Sequence, residues 1–331
     1  MSVSAFPDKI LAGLKLPGGA DDTRLERITD GLRCIETGEQ FLDVNGVPSL
    51  FINEDGTGIT GRVKEFYEEN PFPNYEGLET FGDLVTKGNA NPFSLQLLRS
   101  IGYNKTILEC GCGTGQLSHY LQLNNNNVLG IDMSLSSLGL ALEFKQQNQL
   151  ERCGFAQMNI FDLAIRDEAF DVVISHGVLH HTLDARRAFA QIARKLKPGG
   201  LIMVGLYNRP ARLPTWIRSK VIRVLGPQID YVVRNRIHDE RKADIWIKDQ
   251  YFNPHETWHS LDEVMGWFGE NRIDYLCSSP GILDTDGEDA VDLSLPTDPG
   301  TRYQRWVTQL SWLATIAREG ALFDVVGRKQ L

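Results

Sequence analysis

The run Thr106 to Gly115, T-I-L-E-C-G-C-G-T-G, read together with the V-L-G-I-D that ends at Asp132, limits what this chain can fold into more than any other stretch. Thr106, Ile107 and Leu108 supply a short apolar strand, Glu109 follows, and glycines at 111, 113 and 115 precede the return of helix-forming sequence. The order is strand, glycine turn, helix start. Glycine removes the β-carbons that would hold a ligand off the main chain and permits the positive φ of such a turn. A flat or extended ligand can then lie against the backbone at the helix N-terminus. The pattern points to a nucleotide-like ligand.

A dinucleotide-binding turn uses the same elements but asks for G-x-G-x-x-G. Here the spacing is G-x-G-x-G, with Glu109 just before it. A pyrophosphate is disfavoured beside a carboxylate at the strand end, whereas an ammonium or sulfonium group is attracted to it. E-x-G-x-G-x-G followed by a second strand ending in Asp resembles the S-adenosylmethionine-binding signature of class I methyltransferases, in their ubiquinone/menaquinone-methyltransferase-like, type 11 group. The likeness continues through Asn159-Ile160, F-D-V-V-I-S-H-G-V-L-H-H and L-K-P-G-G-L-I-M-V, in the same motif order, over roughly residues 60 to 331.

The resemblance implies an α/β fold, a doubly wound, seven-stranded, mostly parallel sheet, and S-adenosyl-L-methionine as cofactor. It puts Glu109 at the donor's amino acid portion, with Gly111, Cys112 and Gly113 against it, and Asp132 at the ribose with Met133 beside it. Asn159 and Ile160 fall at adenine, and His176 by the cofactor. Asp132 suits its role, because one ionised carboxylate can accept from both ribose hydroxyls. Its other use would be as a helix N-cap, which Ser134 can supply itself.

With 331 residues and 42% hydrophobic content, the chain can build a full core as one large domain or two modest ones. A formal charge of −9 disfavours a broad polyanion-binding surface and hence a nucleic-acid partner. Residues 209 to 242 nevertheless gather Arg209, Arg212, Arg218, Lys220, Arg223, Arg234, Arg236, Arg241 and Lys242, which read as a solvated helical face. The cysteines, Cys34, Cys110, Cys112, Cys153 and Cys277, are odd in number and scattered, and no charged-then-apolar leader precedes them, which predicts a reducing cytoplasm. Cys110 and Cys112 stand as C-x-C, too close for a zinc knuckle, and read as packing residues. No apolar run approaches the ~20 residues that span a bilayer, so a soluble protein without membrane or metal is expected.

Along the chain, residues 1–24 read as a flexible lead-in with a weak helix around Lys9 to Leu14. L-R-C-I-E-T-G-E-Q-F, D-V-N-G-V-P-S-L-F-I with an Asn45-Gly46 turn, and N-E-D-G-T-G predict a small β-rich element, giving an N-terminal extension over 1–60. It resembles a shrunken form of the zinc-ribbon-derived modules that accompany some methyltransferases. Only Cys34 of the expected ligands remains, so no zinc is predicted there. In Arg62 to Glu76 a helical start meets Pro71 and Pro73, and Phe66, Tyr67, Phe72 and Tyr75 gather on the elbow as either a latch for the N-terminal element or a lid over the donor pocket. The Pro73-Asn74-Tyr75 wording inclines toward the lid. Asn89 to Ile101 reads as a helix, with Asn91 as cap and Pro92 in the first turn.

The methyltransferase domain is expected over 61–331. After the glycine turn the pattern gives a helix at Gln116 to Leu123 and strands at Val128 to Asp132, near Gly154 to Met158, and at Phe170 to Ser175. A helix at Asp184 to Leu196 should be broken by K-P-G-G before a fifth strand, Leu201 to Leu206. A sixth strand is expected at Ile273 to Cys277, then an acidic loop over 280–300. Arg302 to Ala317 reads as a helix with Trp306, Leu310, Leu313 and Ile316 on one face, and Leu322 to Lys329 as a final antiparallel strand. Two insertions decorate this domain: 207–258, long where such connections are short and placed to cap the strand ends where ligands bind, and 280–318.

Five residues are candidates for catalysis. His180 and His181 follow the fourth strand, and an imidazole is the natural base at neutral pH, although packing against the cofactor is the other use of histidine there. Tyr207, His255 and Glu256 lie in the cap insertion with Asn208, Tyr251, Asn253, Trp258 and His259, a mixture suited to a small-molecule pocket or to plain structural work. H-E-T-W-H at 255–259 matches the zincin spacing, but that site needs one continuous helix. Pro254 just before it and helical sequence resuming only near Ser260 put the histidines on a loop or helix entry. The reading is methyl transfer from S-adenosyl-L-methionine to a small-molecule acceptor. Its rivals are methylation of RNA or protein, and a non-catalytic S-adenosylmethionine-binding partner protein.

Overall fold

The computed structural model describes residues 6–52, 58–73, 75, 77–235, 240–282 and 292–331, and only the main chain of 223, 241 and 242. Asn74 of the elbow, most of N-E-D-G-T-G, Arg236, the side chains of Arg223, Arg241 and Lys242, and residues 283–291 of the acidic loop lie outside the described residues.

Four short strands open the chain: β1 (Leu25–Ile28), β2 (Gly31–Cys34), β3 (Gln40–Val44) and β4 (Val47–Pro48), an antiparallel meander. The Asn45-Gly46 turn forms as the sequence predicts, with φ of 52° and 82°, the left-handed pair a tight hairpin demands. The meander has no core of its own. Leu25, Leu32 and Cys34 are buried in the same cluster as Phe6, Ile10, Leu14 and the main sheet. Residues 6–14 are therefore not the flexible lead-in the sequence implied: Ile10 and Leu14 are fully buried and Leu14 bridges to Ile165. The missing signal was length, since a single helical turn, Asp8–Leu11, is too short for periodicity to register.

The main sheet runs β10-β11-β9-β8-β5-β6-β7, with β5 (Thr106–Cys110), β6 (Asn127–Asp132), β7 (Cys153–Gln157), β8 (Phe170–His176), β9 (Leu196–Tyr207), β10 (Ile273–Ser279) and β11 (Leu322–Lys329). Only β11 runs against its neighbours. The chain builds outward from β5 through β6 to β7, then returns to lay β8 on the other side of β5. This reversal opens a crevice at the carboxyl ends of β5 and β8, where open α/β sheets bind ligands. β5 and β7 are buried at every position, as strands covered on both faces must be. Ser49 adds beside Gln157 on the β7 edge, so the N-terminal element covers that end of the sheet.

Several boundaries differ from expectation for physical reasons. K-P-G-G does not precede the fifth strand but lies inside it, because the pairing with β8 shifts register between Phe170 and Val172 and absorbs the extra residues. The helix expected over Asn89 to Ile101 is two, Phe81–Ala90 and Pro92–Ile101, with Asn91 capping the second by accepting from Ser94 N–H. Proline after Asn91 forces the break. The helix from Arg302 stops at Ser311, and its apolar face, Trp306 and Leu310, points to solvent, with Leu313 exposed just beyond it. Helix Arg209–Leu225 carries its basic residues partly inward rather than as a solvated face, Arg212 being fully buried.

Candidate functional site

At the carboxyl ends of β5, β6 and β8 lies a cavity of about 710 Å³, within the range of small-molecule sites. Glu109 closes β5, accepts from Ser118 Oγ and lines the cavity while buried. Burial raises its pKa to about 7 against the hydrogen bond from Ser118, because a carboxylate out of water favours its neutral form. A cationic ligand group would reverse that penalty.

The glycine turn wraps over the end of β6. Gly111 N–H donates to the Ile131 carbonyl at 2.8 Å, and Gly113 N–H to Asp132 Oδ2 at 2.8 Å. Gly111 and Gly113 hold φ of 75° and 52°. β-Carbons there would lie 2.3 Å from Val178 and 2.2 Å from the Phe72 carbonyl oxygen, so the protein's own packing already demands glycine. Asp132 also accepts from Ser134 N–H at 2.9 Å, while Ser134 caps the helix Leu135–Gln147. Its pKa is raised by burial and held back by those backbone donors.

Of the nine expected cofactor residues, Glu109, Gly111, Cys112, Gly113, Asp132, Met133, Ile160 and His176 all line this cavity. Asn159 does not. Its amide donates to the Ile52 carbonyl at 2.8 Å and accepts from Phe161 N–H at 3.1 Å, so it ties the N-terminal element to the loop after β7. His176 ends β8, stacks on Phe93 with centroids 4.7 Å apart, and brings Nε2 to 3.3 Å from Asp324 on β11. Burial alone would lower its pKa, but the Asp324 carboxylate outweighs this and the net shift is upward. Two carboxylates, a glycine turn and the apolar Met133, Met158 and Ile160 form a set that a sulfonium nucleoside fits.

Of the five catalytic candidates, His181 and Tyr207 reach the cavity. His181 Nδ1 meets the His255 carbonyl at 2.8 Å, which fixes Nδ1–H and leaves Nε2 as the accepting atom. Burial lowers its pKa, partly offset by Asp249, so the ring is neutral at neutral pH. Tyr207 lies between His180, stacked at 3.8 Å, and the Arg212 guanidinium, 3.6 Å over its ring. His180 is fully buried beneath it, outside the cavity lining. His255 and Glu256 do not line it either. Glu256 accepts from Arg212 Nη2 at 2.7 Å and from Trp258 Nε1 at 2.8 Å, and His255 contributes its carbonyl to His181. H-E-T-W-H is extended rather than helical, with Thr257 N–H donating to the His180 carbonyl and His259 N–H to that of Tyr207.

The structure adds residues that the sequence did not single out. Asp249 and Gln250, on helix Glu240–Phe252, line the cavity; Tyr67 O–H donates to Asp249 at 2.9 Å and Gln250 Nε2 to Tyr207 Oη at 3.0 Å. The elbow packs on the main domain beside the cavity. Tyr67, Phe72 and Pro73 line the cavity, while Tyr75 O–H donates to the Thr114 carbonyl at 2.7 Å and its ring stacks on Phe144.

A family model described as a methyltransferase domain matches residues 108–204. An uncharacterised protein of Synechococcus sp. is 28% identical over 197 residues, covering 51% of this chain and 47% of that protein. The ubiquinone biosynthesis O-methyltransferase of Cronobacter sakazakii is 27% identical over 203 residues, covering 59% and 74%, and phosphoethanolamine N-methyltransferase 1 of Arabidopsis thaliana is 27% identical over 198 residues, covering 59% and 36%. The chain thus spans about half the length of the first of these relatives and about a third of the last. The matched residues run from the end of β5 to β9 and hold the glycine turn, Asp132 and His176, so the part of the chain that builds the donor side of the cavity matches a methyltransferase domain.

Proposed function

We propose that this protein transfers a methyl group from S-adenosyl-L-methionine to a small-molecule acceptor, with His181 as the base. The observation that carries the reading is that one cavity is lined by Glu109 and Asp132 and also by His181, Tyr207 and Asp249. When bound, the cofactor supplies an electrophilic methyl carbon. The protein's tasks are alignment, exclusion of water and removal of the acceptor's proton.

On this reading Glu109 receives the donor's ammonium group, the turn Gly111 to Gly113 lies along it, and Asp132 accepts from the ribose hydroxyls. Met133 and Ile160 face adenine, and Asn159, turned to Ile52, positions that loop without touching the ligand. His176 sits beside the donor, steadied by Asp324. His181 accepts the acceptor's proton at Nε2. Tyr67 and Tyr207 orient the acceptor against Asp249 and Gln250. Residues 207–258 act as a substrate cap through helix Glu240–Phe252, and 1–60 as a buttress on the β7 edge. The relatives' names, one of ubiquinone biosynthesis and one of phosphoethanolamine, support a small molecule as the class.

The test has two arms. Calorimetric titration with S-adenosylhomocysteine should give binding to the wild type and a loss of about 1.5–3 kcal/mol in Asp132→Ala, as expected for a charge-assisted hydrogen bond. Unaltered affinity removes the donor assignment. Incubation of labelled donor with fractionated extract should put label into the small-molecule fraction; label in RNA or protein instead, or no labelled product, overturns the acceptor reading.

A further inference from the structure

Two neighbouring helices bury polar side chains and turn large apolar ones to solvent. Along Arg209–Leu225 polar residues share the inward side with Ala211 and Ile222: Arg212 is fully buried, Thr215 is 2% exposed, and Arg218 donates to the Ala317 carbonyl at 2.8 Å. The residues turned to solvent are apolar, among them Trp216, Ile217, Val221 and Val224, the last 84% exposed. Helix Arg302–Ser311 repeats this, with Thr308 and Gln309 buried and Trp306 and Leu310 outside. The two helices pack against each other, and both turn apolar side chains outward. Scattered exposed apolar residues need no explanation, but two adjacent helices that turn large apolar side chains to solvent do.

The charges around this surface say what covers it. Neither helix contains Asp or Glu, in a chain whose formal charge is −9. Arg212 is buried against Glu256, and Arg209 and Arg305 pair with Glu263 and Asp262, which leaves Lys220 and Arg302 as exposed cations of the two helices. Lys220 Nζ lies 5.2 Å from the centre of the Trp216 ring, so a cation stands at the level of an exposed indole. An apolar face that carries tryptophan, exposed cations and no acid on either helix is a composition that settles into the headgroup region of an anionic bilayer. A second copy of this chain is a poorer match, since a two-fold contact would set these cations against their own copies.

We propose that the face formed by helices Arg209–Leu225 and Arg302–Ser311 binds the surface of an anionic lipid membrane, lying on it without crossing it. This revises the expectation of no membrane partner; among the described residues no helix is long and apolar enough to span one, and a surface-bound helix has no need to be. The face is continuous with the cavity wall: Arg212 donates to the Gln250 side chain at 2.6 Å and to the Gly320 carbonyl at 2.9 Å, and both residues line the cavity. The proposal holds whatever the acceptor is.

The full chain is sedimented with vesicles of phosphatidylglycerol and phosphatidylcholine, and with phosphatidylcholine alone. The wild type should pellet with the anionic vesicles and be released by salt, and Trp216→Glu with Val224→Glu should lower the partition coefficient about tenfold or more. Lys220→Glu should weaken binding to anionic vesicles alone. Because these side chains are exposed, thermal unfolding should stay cooperative, and Trp216→Ser with Val224→Ser repeats the comparison without added charge. Wild-type protein left in the supernatant with both kinds of vesicle overturns the proposal, as does a solution dimer that the same substitutions dissociate.

Discussion

His181 Nδ1 lies 2.8 Å from the carbonyl oxygen of His255, a contact that fixes which ring nitrogen carries the proton. The ring can then accept only at Nε2, on a residue that lines the cavity. The H-E-T-W-H segment matters here through its main chain, which runs beside the end of β9. Its side chains take other partners.

Replacing His181 with Gln should lower kcat by about 10²–10⁴-fold, the usual worth of a positioned base, with S-adenosylhomocysteine affinity unchanged. Burial holds the His181 pKa below its ordinary value. The wild-type rate should therefore rise with pH through a midpoint below about 6.5 and stay level above it. A pH–rate profile of kcat/KM checks this; a midpoint above that value, or an active Gln variant, removes His181 from the role.

The donor side of the site was legible in the sequence because it is local. A strand, three glycines and an acid one strand later fall within 106–132, and their spacing alone brings Glu109, Gly113 and Asp132 together. The acceptor side is assembled from afar: Tyr67 meets Asp249 across 182 positions, and Asp324 reaches His176 only because β11 inserts beside β9. No periodicity encodes such pairings. The helix from Arg302 shows a second limit. Its apolar stripe is real, but period gives the angle between residues and says nothing of which side faces the core. Asn159 shows a third, since its place after β7 is as expected while the carbonyl it bonds belongs to Ile52 of the N-terminal element.

Gly205→Ala should disturb the donor side from outside the glycine turn. A β-carbon at 205 would lie 2.6 Å from Asp324 Oδ1 and 2.6 Å from His176 Cδ2. Both side chains would have to move, and His176 would lose its carboxylate neighbour. The expected result is a destabilisation of about 1–3 kcal/mol by overpacking, together with weaker S-adenosylhomocysteine binding. Thermal unfolding and calorimetry read the two effects separately; unchanged affinity would detach His176 from the donor.

Glu109 should trade stability for binding. Its folded pKa is raised from 4.5 to about 7, so the folded state holds a proton that the unfolded state releases over that interval. Stability of the unliganded protein therefore falls as pH rises from the unfolded to the folded value, by about 3 kcal/mol in all. Glu109→Gln should flatten that dependence and raise the melting temperature above neutrality, while weakening S-adenosylhomocysteine. Near pH 6, wild-type binding should also release a proton, seen as a heat that varies with the buffer's ionisation enthalpy. No buffer dependence would mean that the ligand's ammonium group lies elsewhere.

Arg212 and Glu256 give the prediction that separates support from chemistry. The guanidinium is fully buried, with Glu256 at 2.7 Å, the Gln250 side chain at 2.6 Å, and the carbonyls of Gln250 and Gly320 both at 2.9 Å. Removing the carboxylate strands a buried cation, so Glu256→Ala should cost about 3–5 kcal/mol. Glu256→Gln keeps an accepting oxygen toward Arg212 and should recover part of that loss. A group that moved the acceptor's proton would behave otherwise, with Gln as inactive as Ala at temperatures where both are folded. Measuring kcat and the melting temperature of both variants decides it: activity that follows stability and returns with Gln fixes Glu256 as the partner that holds Arg212 against Tyr207, and a folded, inactive Gln variant would restore it to the chemistry.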